Sequence, residues 1–463
     1  MVRIRSVMPG LFLFGFQVVT PGLAQVSPGP DFLQQMESHR ELLAQIEMEQ
    51  GRDSPALVDP MQGLAALATN LNQFDEADAL LSRAIQIVRI NDGLYTENQF
   101  PLIVERIDND RRRGRWDEVN DNLEHLKWLY HNKHEGIDSE IVNELMYVHQ
   151  IHMAGVAEDS EDRQPYHFRE AANANWVALA ASGLVWGEND PRRARIMYEL
   201  VKLYYLQTIA IDRGGRTGYE LREIVPGSSW VRSRRLVKRA FYATGLNLLR
   251  QMRDMFRHAS PLNREAIAMS DLYLADWHLL FTHTDRAKGA YARAYQGLED
   301  AAVDDTLLAR YFEAPAVVPK QQFFATLAEA YDDRLQAAER LPRATLYDTR
   351  SLVRFTEWSR NFPRVQHPLS ADVVAAADPG SGESGYAMLS FSTGALVEVN
   401  QWINGRLRTR LGVVDRFEVL RQYPEELVDE EGLAEKIQAL HFRPRLVDGV
   451  ATASTGTLQY LFP

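Results

Sequence analysis

The stretch that decides the fold class is residues 61–88, Met61-Gln62-Gly63-Leu64-Ala65-Ala66-Leu67-Ala68-Thr69-Asn70-Leu71-Asn72-Gln73-Phe74-Asp75-Glu76-Ala77-Asp78-Ala79-Leu80-Leu81-Ser82-Arg83-Ala84-Ile85-Gln86-Ile87-Val88. Leu64, Ala65 and Ala68 recur at helical spacing on one side of the Asn72-Gln73-Phe74 turn, and Ala77, Leu81 and Ala84 do so on the other. Two helices joined by a turn this short lie antiparallel, and alanines at 65 and 77 let their backbones approach closely. Forty-two residues on, Gly114-Arg115-Trp116 repeats the turn, and Val119, Leu123 and Leu126 repeat the second helix. The pair Phe74-Asp75-Glu76-Ala77 and Trp116-Asp117-Glu118-Val119 is the clearest internal repeat. Weaker copies are Leu274 and Ala275 with Ala287, Tyr291 and Ala294, and Asn189-Asp190-Pro191 with Ala194 and Tyr198.

A recurring helical hairpin is the signature of a stacked array, since one hairpin cannot bury its own apolar face. The alternation of small and aromatic residues resembles the tetratricopeptide repeat over residues 59–130 and 266–298, with helices but no repeats inferred between. The second and third copies lack some of that family's small residues, and the proline near a repeat's end is missing. The competing reading is an irregular helical bundle. The resemblance implies a concave face that holds a protein or peptide. Register puts Asn70, Arg111 and Arg112 on it, where forked guanidinium donors suit a peptide backbone or carboxylate. The bland reading of the same residues is a solvated helix surface.

The chain has 463 residues, a formal net charge of -12 and no cysteine. Its length implies more than one domain or an array. The lack of cysteine excludes thiolate nucleophiles, thiolate metal sites and disulfides. The acidic balance argues against nucleic acid as a partner. Arg3 and Arg5, the apolar stretch Val7 to Val19 and Gly22-Leu23-Ala24 read as an export signal, cleaved before Gln25. That apolar core is too short and interrupted to anchor the chain, and no later segment is apolar enough to span a membrane. The expected localisation is therefore the periplasm.

Against this background, eleven Lys or Arg face three acids between Arg213 and Arg257. Arg232, Arg235 and Arg239 share one helix face and form a basic patch that would attract lipid headgroups, anionic glycan or an acidic partner. Pairing with acids of neighbouring helices is the plainer alternative.

Near Asn361 the composition changes. Residues 361–384, rich in Pro, Gly and Ser, read as a linker, and beyond them the period becomes strand-like. Strands are expected at Tyr386 to Phe391, from Leu396, and at Gly456 to Phe462, with a helix from Gly432 to Leu440. Phe442-Arg443-Pro444, Asp448-Gly449 and the terminal Tyr460-Leu461-Phe462 resemble the end of a TonB C-terminal domain, with Leu433, Ile437 and Leu440 matching its core face. The resemblance implies a sheet edge that pairs with an extended partner segment, and the candidate edge strand carries Thr455, Gly456, Leu458, Tyr460 and Phe462. Its competitor is a terminal cap that only stabilises the array. The long proline-rich spacer and uncleaved anchor of that family are missing.

The expected architecture is thus mainly α: signal peptide 1–24, tetratricopeptide-like helical array 25–360, linker 361–384 and a small α+β TonB-C-like domain 385–463. No G-x-S-x-G, P-loop or H-E-x-x-H motif is present. His149 with His152, and His131 with His134, each offer two metal ligands without a third. His278 and His283 read as a packed histidine and a turn residue, and Glu425-Glu426 with Asp429-Glu430-Glu431 as helix capping. Trp176, Trp186, Trp230 and Trp277 read as array core before a glycan cleft. The expected function is a non-catalytic periplasmic scaffold without cofactor or metal, binding proteins or peptides, with an outer-membrane receptor or envelope complex as candidate partner. A TonB-type energy transducer and a glycan-processing envelope enzyme are the alternatives.

Overall fold

The structure, a computed structural model, describes residues 30–131, 136–212, 230–339, 352–356, 385–393, 411–423 and 430–462. The export-signal residues and the linker 361–384 lie outside them. The chain is mainly helical, with a small sheet region at its C-terminal end. Among the described residues no helix is long and apolar enough to cross a membrane.

After α1 (Pro30–Gln50), the first hairpin forms as its periodicity dictates, from α2 (Val58–Asn70) and α3 (Phe74–Asp92). Leu64, Ala65, Ala68, Ala77, Leu81 and Ala84 are all buried. The second hairpin is α4 (Phe100–Arg112) and α5 (Trp116–His131). Next come α6 (Ser139–Glu158), α7 (Gln164–Trp186), α8 (Arg193–Asp212) and α9 (Trp230–Arg257). Then α10 (Arg264–Leu280) and α11 (Thr284–Asp300) form a hairpin, followed by α12 (Asp305–Phe312).

Three of these hairpins turn in the same way. Asn72, Gly114 and Thr282 take positive φ of 59°, 70° and 60°. The amide that follows each reaches back over the turn: Gln73 to the Ala68 carbonyl at 2.8 Å, Arg115 to Asp110 at 2.9 Å and His283 to His278 at 2.8 Å. This six-to-one closure satisfies carbonyls that a helix end leaves open.

The helical reading ran too far. Ala316–Val318 is a short strand, β1, followed by α13 (Leu327–Glu339), and Leu352–Thr356 is a strand, β2. The remaining elements are β3 (Tyr386–Thr393), β4 (Val414–Tyr423), α14 (Glu430–Gln438), β5 (His441–Arg443), β6 (Arg445–Val447), β7 (Val450–Thr452) and β8 (Ser454–Leu461). The expected strand from Leu396 falls outside the described residues; β4 is the strand that pairs antiparallel with β3.

The edge-strand expectation is overturned. The four-stranded sheet runs β2-β8-β3-β4, so Thr455, Gly456, Leu458 and Tyr460 lie on an interior strand. Strand β8 pairs antiparallel with β3 and parallel with β2, Val353 opposite Leu458. Phe462, just beyond the strand, donates its amide to Gly385 at 2.8 Å. Residues 352–356, read as part of the helical domain, supply the strand that covers this flank, and a parallel partner needs a long connection that local pattern cannot reveal.

One face of this sheet packs on α14, burying Leu433, Ile437 and Leu440 with Leu389, Leu458 and Tyr460. Phe442 and Phe462 are buried, the Phe391 and Phe442 rings lying 4.8 Å apart. Asp448 and Gly449, at φ of 50° and 76°, make the tight β6–β7 turn, a geometry in which glycine is free of Cβ strain.

Candidate functional site

The sheet unit and the array meet in a buried contact. Phe442 and Arg443 sit in β5, which pairs antiparallel with β1 from the array side, Val317 opposite Phe442. Arg443 enters the third hairpin. Its Nε and Nη2 donate to Asp276 Oδ1 and Oδ2 at 3.0 and 2.5 Å, and its Nη1 donates to the Tyr311 hydroxyl at 2.6 Å. Tyr291 donates its hydroxyl to Asp276 Oδ1 at 2.8 Å. Burial works against the Arg443 charge, but Asp276 outweighs it and holds the guanidinium above its ordinary range. This buried cluster joins two parts of the chain, and each guanidinium nitrogen of Arg443 has a partner within it.

The groove residues are brought together, but as partners of other side chains. Arg112 donates from Nη1 to Asn70 Oδ1 at 3.2 Å and pairs through Nε with Asp108 at 2.9 Å. Arg111, its side chain 15% exposed, pairs with Glu158 of α6 at 3.2 Å. Beneath them Glu105 accepts from Gln62 at 2.5 Å, and burial pushes its carboxyl up to about 7. Asp110 is pushed up to about 6, by burial first and by Asp78 next.

Of the basic patch, Arg235 and Arg239 are exposed on α9, and Lys238 between them pairs with Asp212 at 2.7 Å. Arg232 belongs to α9, while its side chain lies outside the described set.

The histidines are enclosed. His149 Nδ1 contacts the Ala171 carbonyl at 2.9 Å, and its Nε2 stands 3.6 Å from Glu199. Glu199 is pulled down to about 2 against its burial, chiefly by Lys202 at 2.7 Å. His152 and His167 share a hydrogen bond between their Nδ1 atoms at 3.1 Å, and His167 Nε2 meets Asp159 at 2.9 Å. Among the described residues no group of three or more His, Asp or Glu is arranged to hold a metal ion. His134 and Glu425, Glu426 and Asp429 lie outside the described residues. His278 is buried against the Tyr242 hydroxyl at 2.8 Å, and His283 precedes α11 in the hairpin turn.

Among the described residues the array carries an open cleft of about 600 Å³. One wall is a face of α6, with Asn143, Met146, Tyr147 and Gln150 at helical spacing. Arg192, just before α8, and Arg195 and Ile196 in its first turn line it, and Phe256, Phe323 and Glu329 close the far side. Trp186 donates its indole N–H to Ser139 at 2.9 Å and lies under the Arg192 guanidinium, 4.4 Å from the ring centroid. Trp277, by contrast, is core, and Trp176 is exposed. The floor is thus apolar and aromatic. Around it Asn143, Gln150 and Arg195 carry side-chain donors that, among the described residues, no other group of the chain engages.

Sequence reading missed this cleft. The spacing of Asn143, Met146 and Gln150 on one helix face was its only visible trace, because Phe256, Phe323 and Glu329 reach it from far along the chain. No protein-family model and no curated protein matches the sequence.

Proposed function

We propose that this chain is a non-catalytic scaffold of the bacterial cell envelope, acting in the periplasm, and that its array holds an extended segment of a partner protein. The observation that carries the reading is the cleft between α6 and α8, where Asn143, Gln150 and Arg195 offer donors unengaged among the described residues, over Tyr147, Phe256 and Phe323. Amide side chains satisfy a peptide backbone, an aromatic floor takes side chains, and a guanidinium takes a carboxylate or carbonyl. A helical array suits this task because its faces are assembled from many short elements at little cost to the core. The groove residues Asn70, Arg111 and Arg112 belong to the same array, with both arginines paired to acids and Asn70 accepting from Arg112.

The alternative, a TonB-type energy transducer, requires a C-terminal module free to reach across the periplasm. The β1–β5 ladder and the buried Arg443–Asp276 pair hold that module against the array, which favours the scaffold. Site-specific photo-crosslinking in living cells tests the reading. A photoreactive residue at Asn143 is expected to capture a discrete protein partner, and Arg195→Glu to abolish the capture. Equal labelling at Asn143 and at exposed Gln45, insensitive to Arg195→Glu, would refute it. Sequencing the mature N-terminus checks export: a chain beginning at Gln25 agrees with it, and one retaining residues 1–24 favours the transducer.

A further inference from the structure

Helix α10 is buried from Ala268 to Leu280 and lies between α9 and α11, each packed on it. Contacts fix both registers. Tyr242 meets His278 and Arg253 meets Asp271, so α9 runs antiparallel to α10. Tyr291 on Asp276 and Gly297 on Ala268 show the same for α11. Arg250, between Tyr242 and Arg253, therefore stands beside residues 271–278 from one flank. Arg293, between Tyr291 and Gly297, stands beside residues 268–276 from the other. Arg286, two turns before Arg293, donates from Nη1 to the Tyr242 hydroxyl at 3.3 Å and so bridges the two flanks.

These three arginines are exposed, and among the described residues none of them makes an ion pair, in a chain with 63 acids against 51 Lys and Arg. Asp254, Asp271 and Asp276 of the same helices are taken by Arg257, Arg253 and Arg443. Asp285, exposed and next to Arg286 in sequence, makes no ion pair and leaves the cluster net positive. Beneath the arginines His278 is 7% exposed. A guanidinium only donates, so the Tyr242 hydroxyl accepts from Arg286 and gives its own proton to His278 Nδ1 at 2.8 Å. That puts the imidazole proton on Nε2, a donor with no partner among the described residues and not sealed from solvent. Burial first, then Arg286, His283, Arg250 and Arg293, bring His278 down to about 4, so at pH 7 it is a neutral donor. His283, its ring 4.5 Å from Tyr242, starts α11 without a side-chain cap, and the free helix end adds positive potential.

We propose that this arginine-flanked face over α10 binds a phosphoryl group, held by Arg250, Arg286 and Arg293 with the His278 Nε2–H as a neutral donor. The donors fit that ligand better than a carboxylate. A phosphoryl group presents three acceptor oxygens and up to two charges, enough for forked guanidinium donors arriving from two helices. The site shares no residue with the cleft between α6 and α8 and stands independently of it. A small phosphate ester and a lipid headgroup both carry the group.

Calorimetric titration of the full chain with inorganic phosphate at pH 7, against chloride at equal ionic strength, tests the site. Phosphate is expected to bind with a Kd of about 1 mM or tighter, while Arg250→Gln and Arg286→Gln each weaken it by about tenfold or more. Arg310→Gln, at an exposed position of α12, should leave it unchanged. The His278 Cε1–H resonance, assigned with His278→Gln, should move with phosphate and not with chloride. Flotation with phosphatidylcholine vesicles, with and without phosphatidic acid, separates the sources. Flotation that needs phosphatidic acid and is lost in Arg286→Gln assigns a headgroup, and binding of free phosphate without flotation assigns a small ester. Neither phosphate binding nor flotation, binding that both glutamine variants retain, or a His278 resonance unmoved at saturating phosphate would each overturn the proposal.

Discussion

Arg443 and Asp276 stand 167 residues apart in the chain and face each other as a two-pronged buried ion pair, 2% and 3% exposed. The pair is the polar centre of the contact between the sheet unit and the third helical hairpin. Tyr291 and Tyr311 complete its hydrogen bonds, and Leu446 packs into the array core beside it. A buried charge pair gains little over a well-packed apolar replacement, but losing one member leaves the other charged and dry.

Replacing Arg443 with Met is therefore expected to destabilise the chain by about 3–5 kcal/mol. Asp276→Leu should do the same, while the double replacement should cost much less than the two singles added together. Urea unfolding of the four proteins checks the cycle. In the single variants the sheet unit should also melt before the array, as a separate transition.

Gly245 lies on α9 where a Cβ would fall 2.2–2.8 Å from the Trp277 ring. Glycine to alanine inside a helix ordinarily stabilises by up to about 1 kcal/mol. Here the sign reverses, because Trp277 is 1% exposed and its indole N–H is tied to the Tyr242 carbonyl at 2.9 Å. Gly245→Ala should cost about 1–3 kcal/mol, read as a lower thermal midpoint.

Acid should destabilise the chain through its enclosed histidines. Burial lowers the His152 and His167 pKa values and brings His278 down to about 4. In the unfolded chain each returns to about 6.5. Below that pH the unfolded state binds more protons than the folded one, so stability falls as pH drops from about 6.5 toward 4. Unfolding midpoints across this range measure the slope, and His278→Phe should make it shallower.

Glu105 acts with the opposite sign. Its carboxyl is raised to about 7 by burial, so between about 4.5 and 7 the folded state holds the extra proton. Stability from this group is lost as pH rises through that window. Glu105→Gln keeps a neutral side chain there at every pH and should stabilise the chain above pH 7 by about 1–3 kcal/mol, with no gain near pH 4. Denaturation at the two pH values separates the cases.

Much of the array was legible because its determinants are local. The alanines at 65 and 77 and the turn at Asn72 lie within one hairpin, where spacing alone decides burial. Register put Arg111 and Arg112 on a face meant for a partner, yet their pairing with Glu158 and Asp108 was hidden, since an ion pair takes whichever acid the fold brings near. Strand β8 illustrates a different limit. Its residues alternate equally well at an edge or in the middle, and only the arrival of β2 settles the matter.

By itself, then, the amino-acid order determined the helical hairpins, the helix Leu433 and Ile437 belong to, and the tight turn at Asp448-Gly449. Each depends on interactions between residues a few positions apart. Tertiary structure alone decided that β5 pairs with β1, that Arg443 finds Asp276, and that α6, α8 and the chain near Phe323 enclose a cleft. Those contacts join distant residues, and which of many compatible partners meet is set by how the whole chain buries its apolar surface.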